Sequence, residues 1–115
     1  MENIYQGDEE GCGLACLRMM LIHESKQKNY RYLTIETGHP PYSLEAFRSA
    51  AGKEGLEILW KRAESKSALL TNKKWPILLL LGEEKDSHMV YVERRWRSSL
   101  LVYDPSAGKN WRKAD

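Results

Sequence analysis

The segment from Cys12 to about Lys26, Cys-Gly-Leu-Ala-Cys-Leu-Arg-Met-Met-Leu-Ile-His-Glu-Ser-Lys, constrains the fold more than any other. It is apolar around most of its circumference, interrupted mainly by Arg18 before its polar end, so a helix there has no wide face to give to water. The rest of the chain must enclose it. The polar loop Gln6-Gly7-Asp8-Glu9-Glu10-Gly11 leads into this helix, which places a cysteine at its tip. A thiol at a helix N-terminus meets unpaired backbone N–H groups and the positive end of the macrodipole, which favour the nucleophilic thiolate. Gly11 and Gly13 carry no side chains, so a substrate main chain can come close. Gln6, on the loop, has an amide N–H₂ suited to an oxyanion. Asp8-Glu9-Glu10 reads as a solvated loop favourable to the helix dipole. Alone, a cysteine at the start of a buried helix is most often a small core residue; Cys12 becomes a candidate nucleophile through the company it keeps.

At 115 residues the chain is expected to form one domain, 1–115, with its own core. Its 18 basic and 16 acidic residues leave +2, a balance that gives no special pull toward nucleic acid or an anionic membrane. The longest aliphatic run, Ile77 to Leu81, is far short of the roughly 20 residues of a membrane span, and Met1-Glu2-Asn3 lacks a secretory pattern. These features lead to the expectation of a soluble chain. Cys12 and Cys16 are no disulfide framework, and a reducing, cytoplasmic setting fits them better. They also lack the CxxC spacing of a zinc pair, and nothing in the sequence calls for a metal or cofactor. Cys16 reads as core, and His23 and His39 as solvated or helix-end residues.

Along the chain, Asn29 to Glu36 has rough helical spacing and is expected to hold a short second helix, which Gly38-His39-Pro40-Pro41 must break. Ser43 is a suitable N-cap for a helix over Leu44 to about Glu54, where Leu44, Phe47, Ala50 and Ala51 recur at three and four, with Gly55 as the stop. Leu56 to Arg62 alternates partly and reads as a strand, and Ser65 to Leu70 as one or two helical turns. Ile77 to Leu81, after Trp75-Pro76, suits a strand covered on both faces, and Gly82 to Ser87 an exposed turn. His88 to Glu93 and Ser99 to Asp104 are β-rich runs joined by the polar Arg94 to Ser98. A hairpin turning about Trp96 places His88 opposite Asp104 and Val92 opposite Leu100. Opposed side chains share a face with Cβ atoms about 4.5–5.5 Å apart, so an imidazole and a carboxylate would hydrogen-bond. A one-residue slip would send them to opposite faces. Pro105 to Gly108 reads as a turn. Lys109 to Asp115 is polar apart from Trp111, with no clear terminating element, which suggests a chain cut from something longer. Arg94-Arg95-Trp96-Arg97 reads as a solvated hairpin tip, with a docking patch as the alternative. Trp60, Trp75 and Trp96 are candidate groove walls, although such residues are more often core. Helices first and strands after is the α+β pattern.

With Gln6, Cys12, His88 and Asp104 assembled, the sequence resembles the double-glycine leader peptidases, the bacteriocin-processing, papain-like cysteine peptidase domains of peptidase-containing ABC transporters. The resemblance runs through Cys-Gly-Leu-Ala-Cys-Leu at 12–17, Ser43-Leu44, Ala50-Ala51, Gly55-Leu56, Trp75-Pro76-Ile77-Leu78, His88-Met-Val-Tyr-Val and Asp104-Pro-Ser-Ala-Gly108. It implies a papain-like α+β fold in which Gln6 supplies the oxyanion hole, Cys12 the nucleophile, His88 the general base and acid, and Asp104 the group orienting the imidazole. The implied partners are a peptide precursor with a Gly-Gly leader and the transmembrane and ATPase parts of a transporter. The implied location is the cytoplasmic side of the bacterial plasma membrane if the domain is tethered. One departure stands out: Gly11 precedes the nucleophile, where the family usually has an acidic residue. The other readings compatible with the residues are a peptidase-like domain that binds a secretion substrate without cutting it, and another papain-like thiol enzyme such as an amidase or acyl transferase.

Overall fold

A computed structural model describes residues 2–5, 11–33, 44–59, 62–82 and 88–114. Among the described residues two helices, α1 (Gly11–Ser25) and α2 (Leu44–Lys53), precede four strands, β1 (Ile77–Leu81), β2 (His88–Trp96), β3 (Ser99–Asp104) and β4 (Gly108–Lys113). The strands form one antiparallel sheet in the order β1-β2-β3-β4. The fold is α+β, consistent with the papain-like arrangement.

The first helix is enclosed as its composition demands, with every residue from Leu14 to Leu21 buried. Arg18 is among them; its Nε donates to the Leu33 carbonyl at 2.8 Å, which ties down the chain after the 3-10 turn Lys28–Tyr32. That turn occupies part of the expected second helix. Cys16, Leu17, Met19, Met20 and Leu21 pack with Phe47 and Ala51 of α2 against Met89, Tyr91, Leu101 and Tyr103 on one face of the sheet. The opposite face carries a second cluster, Val90, Val92, Leu100, Val102 and Ala114, joined by Leu69, Leu70, Trp75, Ile77 and Leu79. The period of two in β2 and β3 thus feeds two cores, one on each side.

The second helix stops as Gly55 foretells. Gly55 takes φ +82°, its N–H donates to Gly52 O at 3.0 Å, and the Leu56 N–H donates to Ala51 O at 2.9 Å. These are the two bonds of a Schellman motif, which satisfies carbonyls the helix end would leave bare.

Four expectations are corrected. Leu56 to Leu59 is not a strand. Leu56 and Ile58 turn inward onto the first cluster while Leu59 is exposed, so the alternation records packing without a ladder partner. Among the described residues the aliphatic β1 is one edge of the sheet, and Leu80 and Leu81 are exposed, so it is not covered on both faces along its length. The polar run after Gly108 forms β4, paired with β3 from Ser99↔Lys113 to Asp104↔Gly108. Finally, the β2–β3 hairpin turns at Arg97-Ser98, and Val92 lies opposite Val102 instead of Leu100. Arg97 stands in the left-handed region at φ +56°. The Ser65–Leu70 expectation is met by a 3-10 turn at Ser67–Thr71. Gln6, the Gly38–Pro41 break with His39, the Ser43 cap, Trp60 and the 83–87 turn lie outside the described residues.

Candidate active site

The register correction decides how the site is built. At the hairpin tip Trp96 pairs with Ser99 and Arg94 with Leu101, whereas below it Val92 pairs with Val102 and Tyr91 with Tyr103. A one-residue irregularity between Val92 and Arg94 separates the two registers. Had the tip register continued, the first residue of β2 and the last of β3 would face opposite sides. The bulge restores the parity. His88 and Asp104 are then diagonal neighbours on one face instead of directly opposed, and diagonal neighbours are within reach of long side chains. His88 Nε2 lies 2.7 Å from Asp104 Oδ1. The sequence expectation of an imidazole–carboxylate pair holds, although the direct cross-strand pairing behind it does not.

Asp104 is saturated with donors. Oδ1 also accepts from the Ser106 N–H at 2.8 Å, the Ser106 hydroxyl at 2.8 Å and the Ala107 N–H at 3.3 Å, while Oδ2 accepts from Arg112 Nη2 at 3.1 Å. Burial alone would push this carboxyl up, but the bonds from His88, from the Ser106 amide and hydroxyl, and from Arg112 outweigh it. Together they hold Asp104 well below the usual carboxylate range. An ionised carboxylate only accepts, so the imidazole proton sits on Nε2 and donates to it, leaving Nδ1 as the basic nitrogen. The side chain of His88 is 31% exposed and that of Asp104 6%, so the imidazole is open to solvent while its carboxylate partner stays largely out of water.

The folded-state depression of Asp104 makes a stability prediction. Its contribution is present above the unfolded carboxylate value, about 3.9, and is lost as pH falls from there toward the lower folded value. Wild type is expected to be more stable than Asp104→Asn at pH 7, with the gap closing below about pH 4. Urea unfolding midpoints of both proteins across that range check it.

Cys12 lies in the first turn of α1, after Gly11 at φ +77°. That backbone value favours glycine over any residue with a Cβ, which gives a physical reason for the departure at position 11. The Met89 N–H donates to Cys12 Sγ at 3.1 Å. Cys12 and His88 therefore flank one peptide unit, whose N–H faces the sulfur and whose carbonyl belongs to His88. The sulfur is bonded to this main chain, and no hydrogen bond joins it to the imidazole. Cys16, expected as core, is fully buried. Gln6 lies outside the described residues, so its position relative to the sulfur is not part of this geometry.

Several members of the site escaped the sequence reading. The spacing of Asp104 and Ser106 around Pro105 is a side-chain-to-backbone turn signature that could have marked Ser106. Arg112 gave no such signal, because it reaches the carboxylate only through the pairing of β4 on β3. Asn3 also supports the strand end, its Nδ2 donating to the Asp104 carbonyl at 3.2 Å. Tyr5 packs beside Gly108, whose φ of +100° starts β4; a Cβ there would lie 3.1 Å from the Tyr5 hydroxyl. Trp75 packs on the second cluster, and Trp96 stands 62% exposed at the tip with Arg94, Arg95 and Arg97.

A thiol in the first turn of a buried helix, one peptide unit from a histidine paired to a carboxylate at the end of an antiparallel sheet, is an arrangement compatible with a papain-like cysteine peptidase. The model of the Peptidase C39 family matches residues 1–115, and the chain belongs to that family. The match supports, at family level, a cysteine peptidase of the bacteriocin-processing kind. Comparison with curated proteins and with solved structures finds no match.

Proposed function

We propose that this chain is a cysteine endopeptidase that cuts the leader of a secreted peptide precursor after a Gly-Gly-type site, at the cytoplasmic face of a membrane and coupled to export by an ABC transporter. The observation that carries the reading is the shared peptide unit, which brings the Cys12 sulfur to within one residue of an imidazole already oriented by Asp104. Among the described residues no helix is long and apolar enough to cross a membrane, so the transporter's spanning parts would be partners of these residues.

In this mechanism His88 Nδ1 takes the thiol proton of Cys12, and the sulfur attacks the scissile carbonyl carbon. Negative charge gathers on the carbonyl oxygen, where the Gln6 amide and the Cys12 N–H would donate to it. His88 returns the proton to the departing amine, leaving a thioester on Cys12. Water then attacks the thioester with His88 again acting as base, which frees the leader and the thiol. Asp104 fixes the imidazole tautomer throughout. Hydrogen bonds between nucleophile and base are often loose before substrate binds and tighten in the complex, which fits a sulfur held by main chain in the free protein.

Removal of one oxyanion donor typically costs about 10² to 10³ in turnover. Gln6→Ala is expected to lose that much with an unchanged unfolding midpoint; unchanged turnover would remove Gln6 from the site. The function itself is tested by incubating the chain with a Gly-Gly leader precursor and reading the products by mass spectrometry. Cleavage after the glycine pair, blocked by prior treatment with a thiol alkylator, is expected. Intact precursor that nonetheless binds would favour a non-cleaving, substrate-holding domain.

A further inference from the structure

We infer that Cys16 is a positioning residue for Cys12, acting through the main chain of Met89. This rests on the reading of Cys12 as the nucleophile. The inference starts from an accounting of backbone hydrogen bonds at the end of β2. The β2–β3 ladder stops at Tyr91↔Tyr103. Continued by two more residues, the same register would set Pro105 opposite Met89, and proline has no N–H to give. Met89 is 4% exposed, so its main-chain groups need partners from the protein.

On one side Met89 belongs to the β1–β2 ladder, opposite Leu80, and on the side that β3 leaves open two partners come from α1, one helical turn apart. Cys12 Sγ accepts from the Met89 N–H at 3.1 Å, and Cys16 Sγ donates to the Met89 carbonyl at 3.3 Å. Residues at i and i+4 lie one above the other on a helix face, so the two sulfurs form a clamp on a single residue of the strand. Fixing the Met89 carbonyl fixes the rotation of this residue, and with it the direction of its N–H toward the nucleophile. The adjoining peptide belongs to His88, so the same bond restrains the imidazole's attachment point. Serine offers a similar, stronger donor, whereas alanine fills much of the space and donates nothing. Burial, with Cys12 and Asp104 adding to it, pushes the Cys16 thiol well up, so it remains a thiol and keeps its donor at working pH.

The test uses the intact chain in three versions: wild type, Cys16→Ala and Cys16→Ser. The rate of iodoacetamide alkylation at Cys12 is followed by peptide mass spectrometry at fixed pH, together with the Met89 amide resonance in ¹⁵N-labelled protein. Cys16→Ala is expected to slow alkylation of Cys12 about tenfold and to move the Met89 amide, while Cys16→Ser stays within about threefold of wild type. In peptide cleavage the same loss should fall on kcat, with KM little changed. Equal losses in both variants would assign Cys16 to packing alone and overturn the inference, as would an unchanged rate in Cys16→Ala. If Cys16→Ala does not fold, the serine variant decides: wild-type-like alkylation with a retained Met89 amide environment supports the clamp, and a loss overturns it. A wild-type chain that cleaves no leader peptide, yet shows this dependence of alkylation on residue 16, would keep the clamp and lose only the peptidase reading.

Discussion

Cys12→Ala is expected to abolish cleavage of a Gly-Gly leader precursor while leaving the precursor able to bind. The sulfur is the only heavy atom of the protein that the proposed mechanism bonds to the substrate, so its loss removes the covalent path entirely. In enzymes with this logic, deleting the nucleophile costs about 10⁶ in kcat, below the detection limit of most peptide assays. The fold should tolerate the change. Cys12 is only partly buried and packs against the first cluster, whose buried members run from Cys16 to Tyr103 and are unchanged in the variant. What alanine leaves behind is the Met89 N–H without its sulfur acceptor, a modest structural cost of about 1–3 kcal/mol. Precursor cleavage by mass spectrometry, beside precursor binding by calorimetry, checks both halves. Detectable cleavage would place the nucleophile elsewhere.

His88→Ala is expected to lower kcat by about 10² to 10⁴, the range of a positioned acid–base group. The loss should be smaller than for Cys12→Ala, because a thiol retains some nucleophilicity without its base. Asp104 would lose one of its bonds and keep those from Ser106, Ala107 and Arg112, so the end of β3 should remain ordered. The expected pattern is a fall in kcat, a slower alkylation of Cys12, and an unfolding midpoint close to wild type. A variant that loses stability and activity together would make His88 a structural member of the sheet.

How much of this was legible from the amino-acid order follows from what each signal depends on. The central helix was readable because its apolar character is uniform, and the end of α2 because Gly55 supplies a conformation that few other residues adopt. Strands β2 and β3 were readable from β-rich composition, and their pairing from proximity. The register was not. It depends on a turn at Arg97-Ser98 that lacks the glycine or asparagine which usually marks such turns, and on a bulge that leaves no local mark. The histidine–aspartate pair survived the error because a displacement of two residues keeps side chains on the same face.

Strand order and edge status are likewise absent from local pattern. The aliphatic β1 looked covered on both faces and is an edge strand with Leu80 and Leu81 exposed, while the polar β4 looked like a tail and extends the sheet beside β3. Arg112, which helps to hold the Asp104 carboxylate ionised, was invisible for the same reason: its role comes from strand pairing. The second role we assign to the Cys-Gly-Leu-Ala-Cys run, in which its two thiols grip one strand residue, required the position of Met89.

The account's central claim is that the sulfur of Cys12 works with the imidazole of His88 on a peptide carbonyl. The most direct measurement is covalent capture with a leader peptide whose Gly-Gly end is an aldehyde, read by mass spectrometry of the intact chain and its proteolytic fragments. The account predicts a single hemithioacetal on Cys12, formed with wild type, greatly reduced in His88→Ala and absent in Cys12→Ala. Capture at Cys16, or equal capture by wild type and His88→Ala, would contradict it.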